Sequence, residues 1–197
     1  MFPRLLPATR ALILINVGVY LLAQLFPNLI AGLFALWPRG TGLFRPWQLL
    51  TYGFVHLQLA HIFVNMFALF MFGSTLEALW GARRMLFFFL VCVLTAGITQ
   101  LAVQGSTGQE PTVGASGGVF GILLAFAWYF PRQRIILLFP PIPMPAWLFV
   151  TGYALIELFF GVTGRDAGVA HFAHLGGLLG GALCILYWRL RHRFEYR

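Results

Sequence analysis

The chain has 197 residues, 60% of them hydrophobic and only 9% charged, with a mean hydropathy of +0.84. A water-soluble domain needs a polar shell that this composition does not supply, so the chain belongs in a bilayer as one compact bundle. All thirteen basic residues are arginines, against five acids; they cluster between apolar runs rather than along one face, which speaks for membrane orientation and against nucleic-acid binding.

Six apolar segments close to the length a helix needs to cross a bilayer are expected near Ala11–Phe26, Leu57–Trp80, Met85–Val103, Val113–Phe130, Ala146–Val162 and Val169–Trp188. The first follows Arg4 and Arg10, as a signal peptide would. No small-x-small cleavage site comes after it and five more spans do, so it is read as a retained helix. The stretch Pro27–His56 is long, nearly uncharged and rich in Trp, Phe, Pro and Gly. It is expected to lie partly in the outer interface, with Trp37 and Trp47 at the boundary. Glu77, near the inner end of the second span, is expected to pair with Arg83 or Arg84. Cys92 and Cys184 sit inside apolar runs and read as small buried hydrophobes. Gly105–Pro111 is a polar turn, and Pro140–Pro145 breaks the chain before the fifth span.

The arginines set the topology. Arg4, Arg10, Arg83, Arg84, Arg132, Arg134, Arg189, Arg191, Arg193 and Arg197 fall on one side of the bundle, and Arg39, Arg45 and Arg165 on the other. The positive-inside rule places both termini in the cytoplasm, so the second, fourth and sixth spans run from outside to inside. With no transit peptide read at the N-terminus, a prokaryotic plasma membrane is expected rather than an organelle.

Polar groups inside a span are costly and mark function by default. They concentrate near the outer ends of those three spans: His56, His61 and Asn65; Gly114-Ala115-Ser116-Gly117-Gly118; His171 and His174. At 1.5 Å per residue, His174 falls roughly 7 Å and Asn65 about 12 Å below the start of its span. A hydroxyl, an imidazole and an amide thus reach similar depth, which is the inventory of acyl transfer. An imidazole can take the serine proton and return it to a leaving amine. His61 and Asn65, four residues apart, share a helix face and could donate to an oxyanion, as could the Ser116 amide near its helix start. Gly117/Gly121, Gly176/Gly180 and Gly177/Gly181 are small-xxx-small pairs that let helix backbones approach in lipid. Glu157, in the fifth span, is open to several readings: a contact at a gate, a partner for a buried donor, or a group wet from the outer surface.

These residues resemble the rhomboid family of intramembrane proteases. Gly114-Ala115-Ser116-Gly117 matches its Gly-x-Ser-Gly motif, and His56…His61…Asn65 its His-x4-His-x3-Asn pattern. His174-Leu175-Gly176-Gly177 with Gly181 matches its histidine helix, and Glu77…Gly81-Ala82-Arg83-Arg84 resembles the inner end of its second helix. The likeness runs from about residue 11 to 190. It implies an all-α membrane protein, one rhomboid-like domain over residues 1–197 with a six-transmembrane-helix bundle. It implies a serine endopeptidase that cuts in or near the transmembrane segment of single-span substrates and opens to the outer side.

Ser116 and His174 would form a dyad with no acidic third member, and no Asp or Glu lies near either in its motif. Asn65, His61 and the Ser116 amide would form the oxyanion hole, Phe120 would stack on the imidazole, and the fifth span would be a lateral gate. Gly114, Gly117, His56 and His171 would support the cavity. His171 is a rival base; the Leu-Gly-Gly sequel favours His174. No metal or organic cofactor is called for. Three other readings stand beside this one: a haem or metal bundle using the histidines, an inactive binder of membrane helices, and a transporter. The first leaves Gly-x-Ser-Gly without purpose, and a zinc protease would want His-Glu-x-x-His. The transporter lacks a repeated pair of interrupted helices.

Overall fold

The first helix, α1 (Pro7–Leu25), opens on a proline and has no local side-chain cap. Its orphan amides are met from far along the chain. In the computed structural model, which describes residues 4–105, 110–136, 141–164 and 169–195, the Glu77 carboxylate accepts from the amides of Ala8 and Thr9 at 2.7 Å each. It also accepts from Thr9 Oγ1 at 2.8 Å. A buried anion at a helix N-terminus satisfies free N–H groups and sits where the helix dipole favours negative charge. This corrects the expected pairing of Glu77 with Arg83 or Arg84. Glu77→Ala should strand those donors and lower stability by about 3 kcal/mol. A fall in the thermal midpoint in detergent, with Arg83→Ala and Arg84→Ala nearly unchanged, would be the check.

The stretch expected to be interfacial folds as α2 (Pro27–Phe34), a 3-10 turn at Arg39–Thr41, α3 (Gln48–Thr51) and a second 3-10 turn at Tyr52–Phe54. Its irregular backbone is gathered by Gln48, which is fully buried. Gln48 Oε1 accepts from the Arg45 amide at 3.0 Å, and Nε2 donates to the carbonyls of Leu43 at 3.2 Å and Gly32 at 3.3 Å. The indoles of Trp37 and Trp47 donate to the carbonyls of Ala31 and Leu33, at 2.9 Å each, closing the free end of α2.

The second span is α4 (Leu59–Ala68), a π-turn over Leu69–Gly73 and α5 (Ser74–Trp80) in continuous succession. α6 (Ala82–Gln104) begins after Gly81, whose φ of +79° makes the sharp corner. Most of the polar turn expected at Gly105–Pro111 lies outside the described residues, as do Pro140, Arg165 and Arg197. α7 (Ser116–Tyr129) starts three residues later than the expected Val113. Its 14 residues reach only about 21 Å at 1.5 Å each, short of a hydrocarbon core roughly 30 Å thick. The break before the fifth span contains a small antiparallel hairpin that the sequence reading missed: β1 (Arg134–Ile136) pairs with β2 (Pro143–Pro145), Ile135 opposite Met144. α8 (Ala146–Thr163) and α9 (His171–Glu195) complete the chain.

The result is a mostly helical membrane bundle. Among the described residues, five helical stretches are long and apolar enough to cross a bilayer: Pro7–Leu25, Leu59–Trp80, Ala82–Gln104, Ala146–Thr163 and His171–Arg191, with Ser116–Tyr129 apolar but shorter. At its centre α6, α7 and α9 pack on one another. The two glycine stripes of α9 serve different neighbours. A Cβ on Gly177 would strike the Gly117 carbonyl, and one on Gly181 would come within 3.2 Å of Gly121 Cα, so this stripe faces α7. A Cβ on Gly176 would meet Thr99 Oγ1 at 2.6 Å and one on Gly180 would strike Thr95, so the other stripe faces α6. At the far ends of these helices, Trp80 meets Phe88, Trp188 and Tyr129 at centroid distances of 5.0, 5.3 and 5.6 Å. Arg84 lies 5.9 Å over the Trp188 ring, an aromatic girdle at the arginine-rich end.

Candidate active site

Ser116 is the first residue of α7, not a few residues inside it as expected, and Ala115 is the N-cap. The amides at such a start have no intrahelical acceptor and point out of the helix. The backbone leading to the serine is fixed by three contacts. Leu36 and Thr112 exchange both of their hydrogen bonds at 2.9 Å, and the Gly114 amide donates to the Tyr52 carbonyl at 3.0 Å. The Ala115 amide donates to His56 Nε2 at 3.3 Å. That last bond requires an unprotonated nitrogen. Burial, and then the neighbouring His61, push the His56 imidazole down to about 3, so it accepts throughout the neutral range. His56 therefore holds the serine loop.

Gly114 has φ +116°, and a Cβ there would meet His61 Cε1 at 2.5 Å. Both the backbone conformation and the close ring require glycine. A Cβ on Gly117 would strike Ala96, so this second motif glycine seats α7 on α6. His61 packs edge-on against His56, with centroids 4.9 Å apart. Asn65 is buried, and its Nδ2 donates to the His61 carbonyl at 2.9 Å, which leaves one amide hydrogen uncommitted. Among the described residues neither Asn65 nor His61 hydrogen-bonds Ser116.

His174 does. It lies in the first turn of α9, and its Nε2 is 2.8 Å from Ser116 Oγ. The start of α9 is held by Gln100 of α6, whose Oε1 accepts from the Ala173 amide at 3.1 Å. Phe120, one turn beyond the serine, lies flat on the imidazole, with centroids 4.3 Å apart and planes at 9°. Phe120 also meets Tyr153 of α8, with centroids 4.9 Å apart. Ser116 is partly buried.

One turn along α8 from Tyr153 is Glu157. Its Oε2 lies 2.6 Å from His171 Nδ1 and 2.9 Å from His174 Nδ1, and all three residues are buried. An imidazole without an acidic neighbour was expected. That expectation is corrected here, because the carboxylate arrives from a different helix rather than from the motif. A lone glutamate in an apolar span was the available signal. Glu157, His171 and His174 could also hold a metal ion, their ligand atoms lying within 4.8 Å of one another. One short hydrogen bond, from His171 to Glu157, and the 2.9 Å approach of His174 Nδ1 to the same oxygen bring these groups together.

The family described as the Rhomboid domain matches residues 43–191. The chain is 31% identical to the mitochondrial Rhomboid protein 1 of Saccharomyces cerevisiae over 66% of its length and 38% of that protein's. It is 31% identical to the Rhomboid protease GluP of Bacillus subtilis over 68% of its length and 24% of that protein's. Against the Rhomboid protease GlpG of Photorhabdus laumondii the identity is 26% over 96% of this chain and 64% of that protein. The chain therefore spans less than two-thirds of the length of each of these relatives.

Proposed function

The chain belongs to the rhomboid family, and we propose that it is an intramembrane serine endopeptidase with Ser116 as nucleophile and His174 as its base. The observation that carries this reading is the 2.8 Å contact between Ser116 Oγ and His174 Nε2, roofed by the Phe120 ring. A hydroxyl donating to a neutral imidazole at that distance is poised to pass its proton as the oxygen attacks a carbonyl. The same nitrogen then protonates the leaving amine, and a water repeats the sequence to free the acyl group.

Negative charge on the attacked carbonyl oxygen would be met by the Ser116 amide at the start of α7, by the free hydrogen of the Asn65 amide and by His61. Gly114 and Gly117 keep this loop narrow. Non-helical backbone at residues 112–115 is tolerable at membrane depth only if it is buried in protein or lines a wet cavity. We read that cavity as the route for water, from the side with fewer arginines. Ser116–Tyr129 is then a sixth pass, both termini are cytoplasmic, and the membrane is a prokaryotic plasma membrane.

The substrate would be a single-span protein arriving from the bilayer between α4 and α8. Two features support this path. α8 leans on α7 and α9 and has at most marginal contact with α4 among the described residues. It is also the least enclosed of the long helices, with 17% of its apolar window buried. The substrate helix must open at the scissile bond, since a helical hydrogen bond occupies the carbonyl that Ser116 would attack.

The test uses purified protein in liposomes with a fluorophosphonate and a tagged single-span substrate. Wild type should be labelled and should cleave, and Ser116→Ala should do neither. Labelling that persists in Ser116→Ala overturns the nucleophile assignment. Loss of activity in His171→Ala with retention in His174→Ala would transfer the base to His171. A wild type that neither labels nor cleaves would leave an inactive binder of membrane helices as the better reading.

A further inference from the structure

An ionisable group deep in an apolar helix needs a partner, and Glu157 has two. Its Oε2 is shared between the Nδ1 atoms of His171 and His174, at 2.6 and 2.9 Å. His174 uses its other nitrogen, Nε2, on Ser116 Oγ. If the serine hydroxyl donates to Nε2, the single proton of the neutral ring must sit on Nδ1. That Nδ1 is buried, its approach to Glu157 is bent rather than in line, and it has no other partner among the described residues.

We propose that Glu157 is a positioning residue for His174, the acidic third member of a Ser116–His174–Glu157 arrangement drawn from three helices, and that His171 holds its carboxylate in place. The proposal rests on the reading of Ser116 and His174 given above. As the hydroxyl bends its proton toward Nε2 and the imidazole becomes a cation, a small rotation brings Nδ1–H onto Oε2. The Oγ–H bond breaks, the Nε2–H bond forms, and the Nδ1 proton stays on the ring. Glu157 remains ionised throughout.

Its contributions are two. It selects the tautomer whose bare nitrogen faces the serine, and it stabilises the imidazolium in an environment of low dielectric. His171 makes the shorter contact and so limits the freedom of the carboxylate. Phe120 fixes the plane of His174 by stacking on its face. Among the described residues, the other titratable groups facing this cluster are His61 from α4 and Tyr153 from α8.

The experiment follows the rate of fluorophosphonate labelling of Ser116 from pH 5 to 9, in liposomes, for wild type, Glu157→Gln and Glu157→Asp. Glu157→Gln keeps the shape and loses the charge. It should label about 10²- to 10⁴-fold more slowly than wild type. The acid limb of its profile should move to lower pH, because the imidazolium has lost its anion. Glu157→Asp, which keeps the charge on a shorter arm, should recover part of the rate and most of the limb. With a cleavable substrate, the loss should fall on kcat and leave KM within about threefold of wild type.

A Glu157→Gln protein with the wild-type rate and an unmoved limb overturns the proposal. So does a rate loss in both variants that tracks a lowered thermal midpoint with the limb in place, which would make Glu157 purely structural. Activation by a chelator and inhibition by micromolar zinc, both lost in Glu157→Gln, would instead make the cluster a metal site and also overturn it. Failure of the underlying reading looks different: His174→Ala would then label as fast as wild type.

Discussion

Ser116→Ala and His174→Ala should each lower cleavage by about 10⁴-fold or more, and the double variant should be no worse than either alone. On the proposed reading, oxygen and imidazole act as one unit. Without the base the hydroxyl keeps its proton, and without the hydroxyl the base has nothing to activate. Residual turnover would come from substrate held with its carbonyl near the α7 amides. The structural requirement is small, because both groups lie at helix starts and the side chains meet at 2.8 Å. Ser116→Ala should change the thermal midpoint little, since Ser116 is only partly buried, whereas His174→Ala removes a buried ring from the Phe120 stack and should lower it. Single-turnover cleavage in liposomes, with the fluorophosphonate as a second readout, separates lost chemistry from lost folding. Additive losses in the double variant would mean that the two side chains do not share one step.

Gly177→Ala should also lower activity, by about 100-fold, without touching either reacting group. Gly177 faces Gly117 so closely that a single added carbon would enter the Gly117 carbonyl. No rotamer relieves that clash, because the obstacle is backbone. α9 must move away from α7 by a fraction of its contact distance, and His174 travels with it. A displacement on the order of 1 Å is enough to cost about 100-fold in rate. Overpacking of this kind also costs about 1–3 kcal/mol of stability. Gly152→Ala on α8 is the control: nothing lies within 4 Å of its added carbon, and alanine is the better helix former. The pair should therefore separate cleanly in a cleavage assay and a detergent melt. A Gly177→Ala protein with wild-type activity would mean that α7 and α9 do not touch along this stripe.

The glycines also show how far one dimension carries. Small residues four apart can be read on α9 without coordinates, and they do mark close helix contact. Which stripe meets which neighbour cannot be read, because 176/180 and 177/181 differ by a rotation of only one residue about the helix axis. The π-turn at Leu69–Gly73 and the late start of α7 are of the same kind. Apolarity continues through both, so hydropathy runs on while the hydrogen-bond pattern changes.

Composition, apolar run length and arginine placement determined by themselves that this chain lives in a bilayer as a helical bundle, since the energy of placing polar groups in hydrocarbon is paid residue by residue. Polar groups near the outer ends of three apolar spans likewise marked Ser116 and His174 as candidates, and the family resemblance added Phe120. Only the tertiary structure decided the partners of the charged groups. Glu77 went to the start of α1 rather than to the nearby arginines, and Glu157 to two imidazoles on α9. Such pairings depend on the axial offset and rotation of one helix against another, and those are set by the summed packing of the whole bundle rather than by any short stretch of sequence.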